Sequence, residues 1–120
     1  MRDCTRGGLG TVLCEWAESS GLGFEIEEQL LPKDESAAAI CDILGFDQLW
    51  LAGEGNALIA VSEHDAEECL KRLRVSDICK DAVVIGRVYN KRNSMTWMRT
   101  PIGGERIIDM PTGEILPRIC

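Results

Sequence analysis

Between Leu9 and Glu27 the apolar spacing changes its period, and that change restricts the fold more than any other feature of the chain. Leu9, Val12, Leu13, Trp16 and Ala17 recur at i, i+3, i+4, i+7 and i+8, which lays one apolar stripe along a helix. Gly21 and Gly23 stop that helix. Gly23-Phe24-Glu25-Ile26-Glu27 then alternates apolar with charged, the pattern of a short, half-buried strand. A helix and a strand that each carry one apolar face must bury those faces against other elements, so layered packing follows.

The rest of the chain extends this pattern. Pro32 breaks the chain, and Asp34 and Glu35 stand where acids suit the first turn of a helix. That helix carries Ala37, Ile40, Ile43 and Leu44 on one face and ends at Gly45. A short helical turn over 47–52 runs into Gly53-Glu54-Gly55, and the apolar, β-rich run 56–61 predicts an inner strand. Ser62-Glu63-His64-Asp65 resembles a capping box. It opens a helix with Ala66, Cys69, Leu70 and Leu73 on one face, and leaves His64 as a surface residue without a ligand role. A second strongly apolar strand is predicted over 82–88. Segments 95–99 and 106–109 read as strands around a turn at Gly103-Gly104, followed by an irregular tail marked by Pro111, Gly113 and Pro117.

This order predicts an α+β fold: a mixed β-sheet with helices packed mainly on one face. A single domain is expected over 1–116, with 117–120 a flexible tail that ends in cysteine.

At 120 residues the chain is long enough to bury a core without staples. Its net charge of −7 argues against a nucleic-acid surface, because phosphate binding needs clustered Lys and Arg. Lys71-Arg72 with Arg74, and Lys91-Arg92, are the only basic clusters, and neither is interleaved with aromatics. No apolar run approaches the length of a membrane span, and the N-terminus has no apolar signal region. A cytoplasmic protein without nucleic-acid or membrane partners is expected.

There are six cysteines, no C-x-x-C and one histidine, so neither a zinc site nor a redox pair is expected, and no metal ligands are assigned. Cys14, Cys41 and Cys69 lie in helical patterns as small core hydrophobes. Only Cys120 is placed for chemistry. As the final residue it can swing between an outer partner and an inner pocket, although a tail alone does not reveal an activated thiol.

Two other stretches could carry chemistry. Asp3-Cys4-Thr5-Arg6-Gly7-Gly8 is a glycine-rich turn feeding a helix N-terminus, where free N–H groups and the helix dipole suit a phosphate. The same spacing fits a plain helix start in which the glycines only permit a tight turn. Glu54, between two glycines, is a carboxylate on flexible backbone just before a strand. Solvated loop glutamates share that pattern.

Three segments together resemble the C-terminal domain of the HypE family of hydrogenase maturation proteins, within the superfamily of aminoimidazole ribonucleotide synthetase. Arg2-Asp3-Cys4-Thr5-Arg6-Gly7-Gly8-Leu9 is similar to that family's R-D-x-T-R-G-G-L, and Leu51-Ala52-Gly53-Glu54-Gly55 to its L-A-N-E-G. The ending, 109–114 followed by Leu116-Pro117-Arg118-Ile119-Cys120, resembles its P-R-I-C terminus. The match extends over essentially the whole chain.

The resemblance implies that Cys120 accepts a carbamoyl group from the carbamoyltransferase HypF. ATP then drives its dehydration to a thiocyanate, and the cyano group passes to iron on HypC–HypD. It implies that Glu54 is the base, or orients the carbamoyl nitrogen, and that Asp3, Thr5, Arg6, Gly7 and Gly8 lie near the nucleotide phosphates. In that family an N-terminal domain holds most of the ATP and magnesium site and forms the homodimer. This sequence lacks it, so the chain alone is expected to be inactive and at most a loose dimer.

Two further departures are local. Cys4 stands where proline or alanine is usual, and Gly53 replaces an asparagine, removing a hydrogen-bonding group beside Glu54. Two alternatives stay open: a non-catalytic docking module for maturation partners, and another ATP-dependent activity of the superfamily that needs no terminal thiol.

Overall fold

The computed structural model describes residues 1–91 and 93–112. Its elements run β1 (Arg2–Cys4), α1 (Gly8–Ser20), β2 (Gly23–Glu27), α2 (Glu35–Leu44), β3 (Gly53–Leu58), α3 (Ala66–Arg74), β4 (Gly86–Tyr89), β5 (Thr96–Arg99) and β6 (Glu105–Ile108). Short 3-10 turns lie at Glu28–Leu30, Gln48–Trp50 and Asp77–Cys79.

The main sheet is four-stranded and mixed, in the order β4-β2-β5-β6. β2 runs antiparallel to β4 and parallel to β5, and β5 and β6 form the expected antiparallel hairpin. The fold is therefore α+β. β1 and β3 form a separate antiparallel pair.

The early change of period sets the core. Gly21 adopts a left-handed conformation (φ 70°) that closes α1, and its N–H is bonded to the Ala17 carbonyl. Leu13 and Ala17 of α1 pack with Phe24 and Ile26 of β2, Met98 of β5, Ile108 of β6 and Leu49. Seven such side chains inside one contact network supply the main apolar burial, worth roughly 1.5–3 kcal/mol each for the large ones.

The opposite face of β2 departs from the sequence expectation. Alternation aims Glu25 away from α1, as predicted, yet Glu25 is only 9% exposed. Trp97 lies beside it in the parallel register and is 1% exposed. The Trp97 indole Nε1 donates to Glu25 Oε2 at 2.8 Å, and Arg99 donates to the same oxygen at 3.1 Å. The Tyr89 hydroxyl donates to Oε1 at 3.3 Å while its ring stacks on Trp97. The strand is buried on both faces because a second, polar-centred cluster covers the outer one.

Three expectations for the middle of the chain fail on burial or length. α2 begins and ends as predicted, with Asp34 capping it through the Ser36 and Ala37 N–H groups. Its buried residue is Cys41, however, while Ile40, Ile43 and Leu44 are exposed, Ile43 at 83%. The run 56–61 does not form an inner strand: β3 ends at Leu58 and pairs with β1, outside the main sheet. Of the run 82–88 only the last three residues are strand, in β4 (Gly86–Tyr89), and Val83 and Val84 are exposed. In each case the local pattern is right, but no described element of the chain covers it.

Ser62 and Asp65 make half of a capping box: the Asp65 N–H donates to Ser62 Oγ at 3.2 Å, but Asp65 Oδ2 accepts from the Ser62 hydroxyl at 2.6 Å, where a capping box has the serine's backbone N–H as donor. With Ser62 as the cap the helix would begin at Glu63; it begins three residues later, at Ala66, with Asp65 at its N-cap, and His64 is exposed in the turn before it.

Candidate functional site

The opening segment is a strand before it is a loop. β1 pairs Arg2 with Leu58, Asp3 with Ala57 and Cys4 with Gly53. One step along β1, from Asp3 to Cys4, is thus matched by four along β3, and Glu54, Gly55 and Asn56 leave the ladder as a bulge. This pairing brings the Asp3–Gly8 segment and Glu54, separated by nearly half the chain, to one end of the same two-stranded ladder.

The loop is held from several sides. Thr5 Oγ1 donates to Asp3 Oδ2 at 2.7 Å, and Arg2 forms an ion pair with Glu15 of α1. Arg2, Asp3, Thr5 and Arg6 line a polar surface depression. Gly7 and Gly8 both have φ of 67°, so the chain enters α1 through two consecutive left-handed residues. Gly8 is required for a second reason: a Cβ there would stand 2.5 Å from the carbonyl oxygens of Leu49 and Leu51.

The turn Gln48–Trp50 therefore seats directly on the start of α1, with the Trp50 ring lying against Gly10 and Leu49 in the core. Asp47 fixes this turn by accepting from the Leu49 N–H at 3.0 Å and from Arg106 at 2.8 Å. The turn leads straight into Gly53-Glu54, so one rigid support carries both candidate stretches.

Gly7 caps α1 without a side-chain hydrogen bond, and the first turn holds no acidic residue. The first-turn N–H groups and the positive end of the helix dipole sit beside Arg6, an arrangement that favours an anion. Glu54 is exposed on the bulge.

Cys4 is a packing residue. It is buried, and its thiol is pushed up by burial and by the Asp3 charge, with a hydrogen bond from the Leu58 backbone only partly opposing them. Burial, with the Asp109 charge, likewise raises Cys14, whose thiol donates to the Ile108 carbonyl at 3.4 Å. Both stay protonated and unreactive near neutral pH. Cys41 is buried as expected, whereas Cys14 and Cys69 are only partly so. Cys120 and the tail 117–120 lie outside the described residues.

Two features were not legible from the sequence. Glu25 is a buried carboxylate in which the cost of burial is outweighed by the Trp97 indole, the Arg99 charge and the Tyr89 hydroxyl, so its carboxyl is held below the usual range. Asn56 is the other. A Cβ at Gly53 would lie 2.6 Å from Asn56 Nδ2, which means that the Asn56 carboxamide is folded back over Gly53. The substitution at position 53 was expected to remove a hydrogen-bonding group beside Glu54, and a carboxamide from three residues later stands over that same backbone.

The chain as a whole is similar to known proteins. Residues 1–98 match the family model described as AIR synthase related protein, C-terminal domain. The chain is 44% identical over 119 residues to the carbamoyl dehydratase HypE of Rhodobacter capsulatus, covering 99% of this chain and 35% of that protein. Among solved structures it resembles hydrogenase maturation protein HypE in complex with ATP, at TM-score 0.88 and 37% identity over 99% of this chain and 37% of that one. It also resembles a chain of a HypE–HypF complex, at TM-score 0.85 and 38% identity, covering 92% of this chain and 35% of that one. The chain spans about a third of the length of the curated relatives it matches. It belongs to the AIR synthase related protein, C-terminal domain family.

Proposed function

We propose that this chain is the thiol-bearing portion of a HypE-like carbamoyl dehydratase acting in nickel–iron hydrogenase maturation. The observation that carries this is the β1–β3 pairing, which sets the Asp3–Gly8 loop and the Glu54 bulge side by side on one support. Whole-chain similarity to proteins named carbamoyl dehydratase supports it, as do the ATP and HypF complexes formed by similar proteins.

In this mechanism the Cys120 thiolate attacks an activated carbamoyl group delivered by a HypF-like carbamoyltransferase; the S–C bond forms as the bond from the carbamoyl carbon to its carrier breaks, and the carrier departs with that electron pair. The carbamoyl oxygen then attacks the γ-phosphorus of ATP and ADP departs. Two N–H protons are lost, the C–O bond breaks, phosphate leaves with the oxygen, and the C≡N bond completes a thiocyanate on sulfur. Glu54 takes a proton from the nitrogen or orients it. Asp3, Thr5, Arg6, Gly7 and Gly8 bind near the transferred phosphate, where N–H groups and Arg6 offset its charge.

Among the described residues, no cluster of three or more His, Cys, Asp or Glu is arranged to hold a metal ion, and no step here runs through magnesium. Most of the ATP and magnesium site, and dimerisation, belong in this scheme to the rest of a HypE-like protein. Delivery of the cyano group to iron on HypC–HypD follows in the cytoplasm. No helix among the described residues is long and apolar enough to cross a membrane.

One observation favours a docking role as a second function. Ile40, Ile43 and Leu44 present an apolar α2 face that no described residue covers. The two roles separate on Cys120→Ala in the complete natural polypeptide that carries this sequence. Loss of carbamoyl acceptance and of hydrogenase maturation is expected. Unimpaired maturation by that variant would leave only the docking role.

A further inference from the structure

We infer that Asn56 is a positioning residue for Glu54, its carboxamide clamping the bulge that carries the acid. This inference rests on the dehydratase function proposed above. The bulge has three members: Glu54, Gly55 at its left-handed turn (φ 82°), and Asn56. A loop of this kind, outside the ladder and exposed, has no backbone pairing to fix where its first side chain points.

The Asn56 side chain closes the loop from its far end by folding onto the near end. Its Nδ2, Cγ and Cβ would lie 2.6, 3.4 and 3.5 Å from a Cβ at Gly53. Gly53 thus leaves open the space that the amide fills, and Glu54 stands between the two. Gly53 and Asn56 act as a pair: a side chain at 53 and an amide at 56 exclude one another. A carboxamide there adds a donor and an acceptor over Gly53, the residue before the acid in sequence, without adding charge. Such a group fixes orientation without competing for the proton.

Because the atom nearest to a new Cβ is the free end of a flexible side chain, Gly53→Ala expels the amide while sparing the backbone. Asn56→Ala deletes it. The double change Gly53→Asn with Asn56→Gly returns a carboxamide from the other end of the loop.

The test uses the complete natural polypeptide, assayed for conversion of its carbamoylated thiol to thiocyanate, with Glu54→Gln as the reference. Each single variant is expected to lower kcat about tenfold, the scale of a small misplacement of a catalytic group, with KM for ATP within about twofold. The double variant is expected to recover most of that loss. Hydrogen exchange at the Glu54 and Gly55 amides should quicken in both single variants and slow again in the double. Full kcat in Asn56→Ala, beside a crippled Glu54→Gln, would overturn the inference and leave the dehydratase function standing. If the wild-type polypeptide does not dehydrate, or Glu54→Gln is fully active, the functional proposal fails instead. Exchange then decides the clamp, and unchanged exchange in Asn56→Ala overturns it.

Discussion

The α1–β2–β5 half of the molecule and the stretch from α2 to residue 85 both carry apolar residues at core-like spacing but bury them very differently. In the first, Leu13, Ala17, Ile26 and Met98 interlock between one helix and one sheet face, and Glu25 with Trp97 closes the other face. In the second, Ile40, Ile43, Leu44, Val61, Val83 and Val84 have the spacing of core residues and stand exposed. Periodicity states which side of an element is apolar. Whether that side is buried depends on the neighbours the fold supplies, which a local pattern does not encode.

The contrast can be tested by truncation on each side. Leu13→Ala removes a side chain 2% exposed at the centre of the core, and is expected to cost about 3 kcal/mol in urea unfolding of the 120-residue chain. A loss below about 1 kcal/mol would mean that the α1–sheet interface is loose.

Next in size is Glu25→Ala, which removes the shared acceptor of the Trp97, Arg99 and Tyr89 hydrogen bonds and should cost about 2 kcal/mol at neutral pH. The folded carboxyl titrates below its unfolded value, so its contribution is present above the ordinary carboxylate range and disappears as pH falls through the depressed folded value. The gap between wild type and Glu25→Ala should accordingly narrow on acidification below about pH 4. A gap independent of pH would show that the carboxylate is not what holds this cluster.

The smallest effect is expected at Ile43→Ala, within about 0.5 kcal/mol, since the side chain loses little contact and Ala favours helix. A cost comparable to that of Leu13→Ala would reveal that the α2 face is covered in solution, and a concentration dependence would then identify a second copy as the cover.

The same contrast explains what could be read in advance. α1, β2, the β5–β6 hairpin and the Asp34 and Gly45 ends of α2 were legible because caps, breakers and periods are written locally. The Asp3–Gly8 and Glu54 stretches were legible as separate motifs. Their adjacency was not, because it comes from β1–β3 pairing across some fifty residues with a three-residue bulge in it. Arg2–Cys4 gave no strand signal of its own, being short and polar. Glu25 looked solvated because alternation aims it outward, and only Trp97, in a strand from the far end of the chain, turns that side into an interior. Asn56 carried no sequence signal, since its role depends on the missing Cβ at Gly53.

The most direct test of the proposed chemistry is the fate of the cysteines in the presence of a HypF-like carbamoyltransferase, carbamoyl phosphate and ATP. Intact mass and peptide mapping of the complete polypeptide should show a carbamoyl adduct on Cys120, converted to thiocyanate on ATP turnover, with Cys4 and Cys14 unmodified. An adduct on another cysteine, or none while the partner enzyme is active, would contradict the assignment of Cys120 as the acceptor.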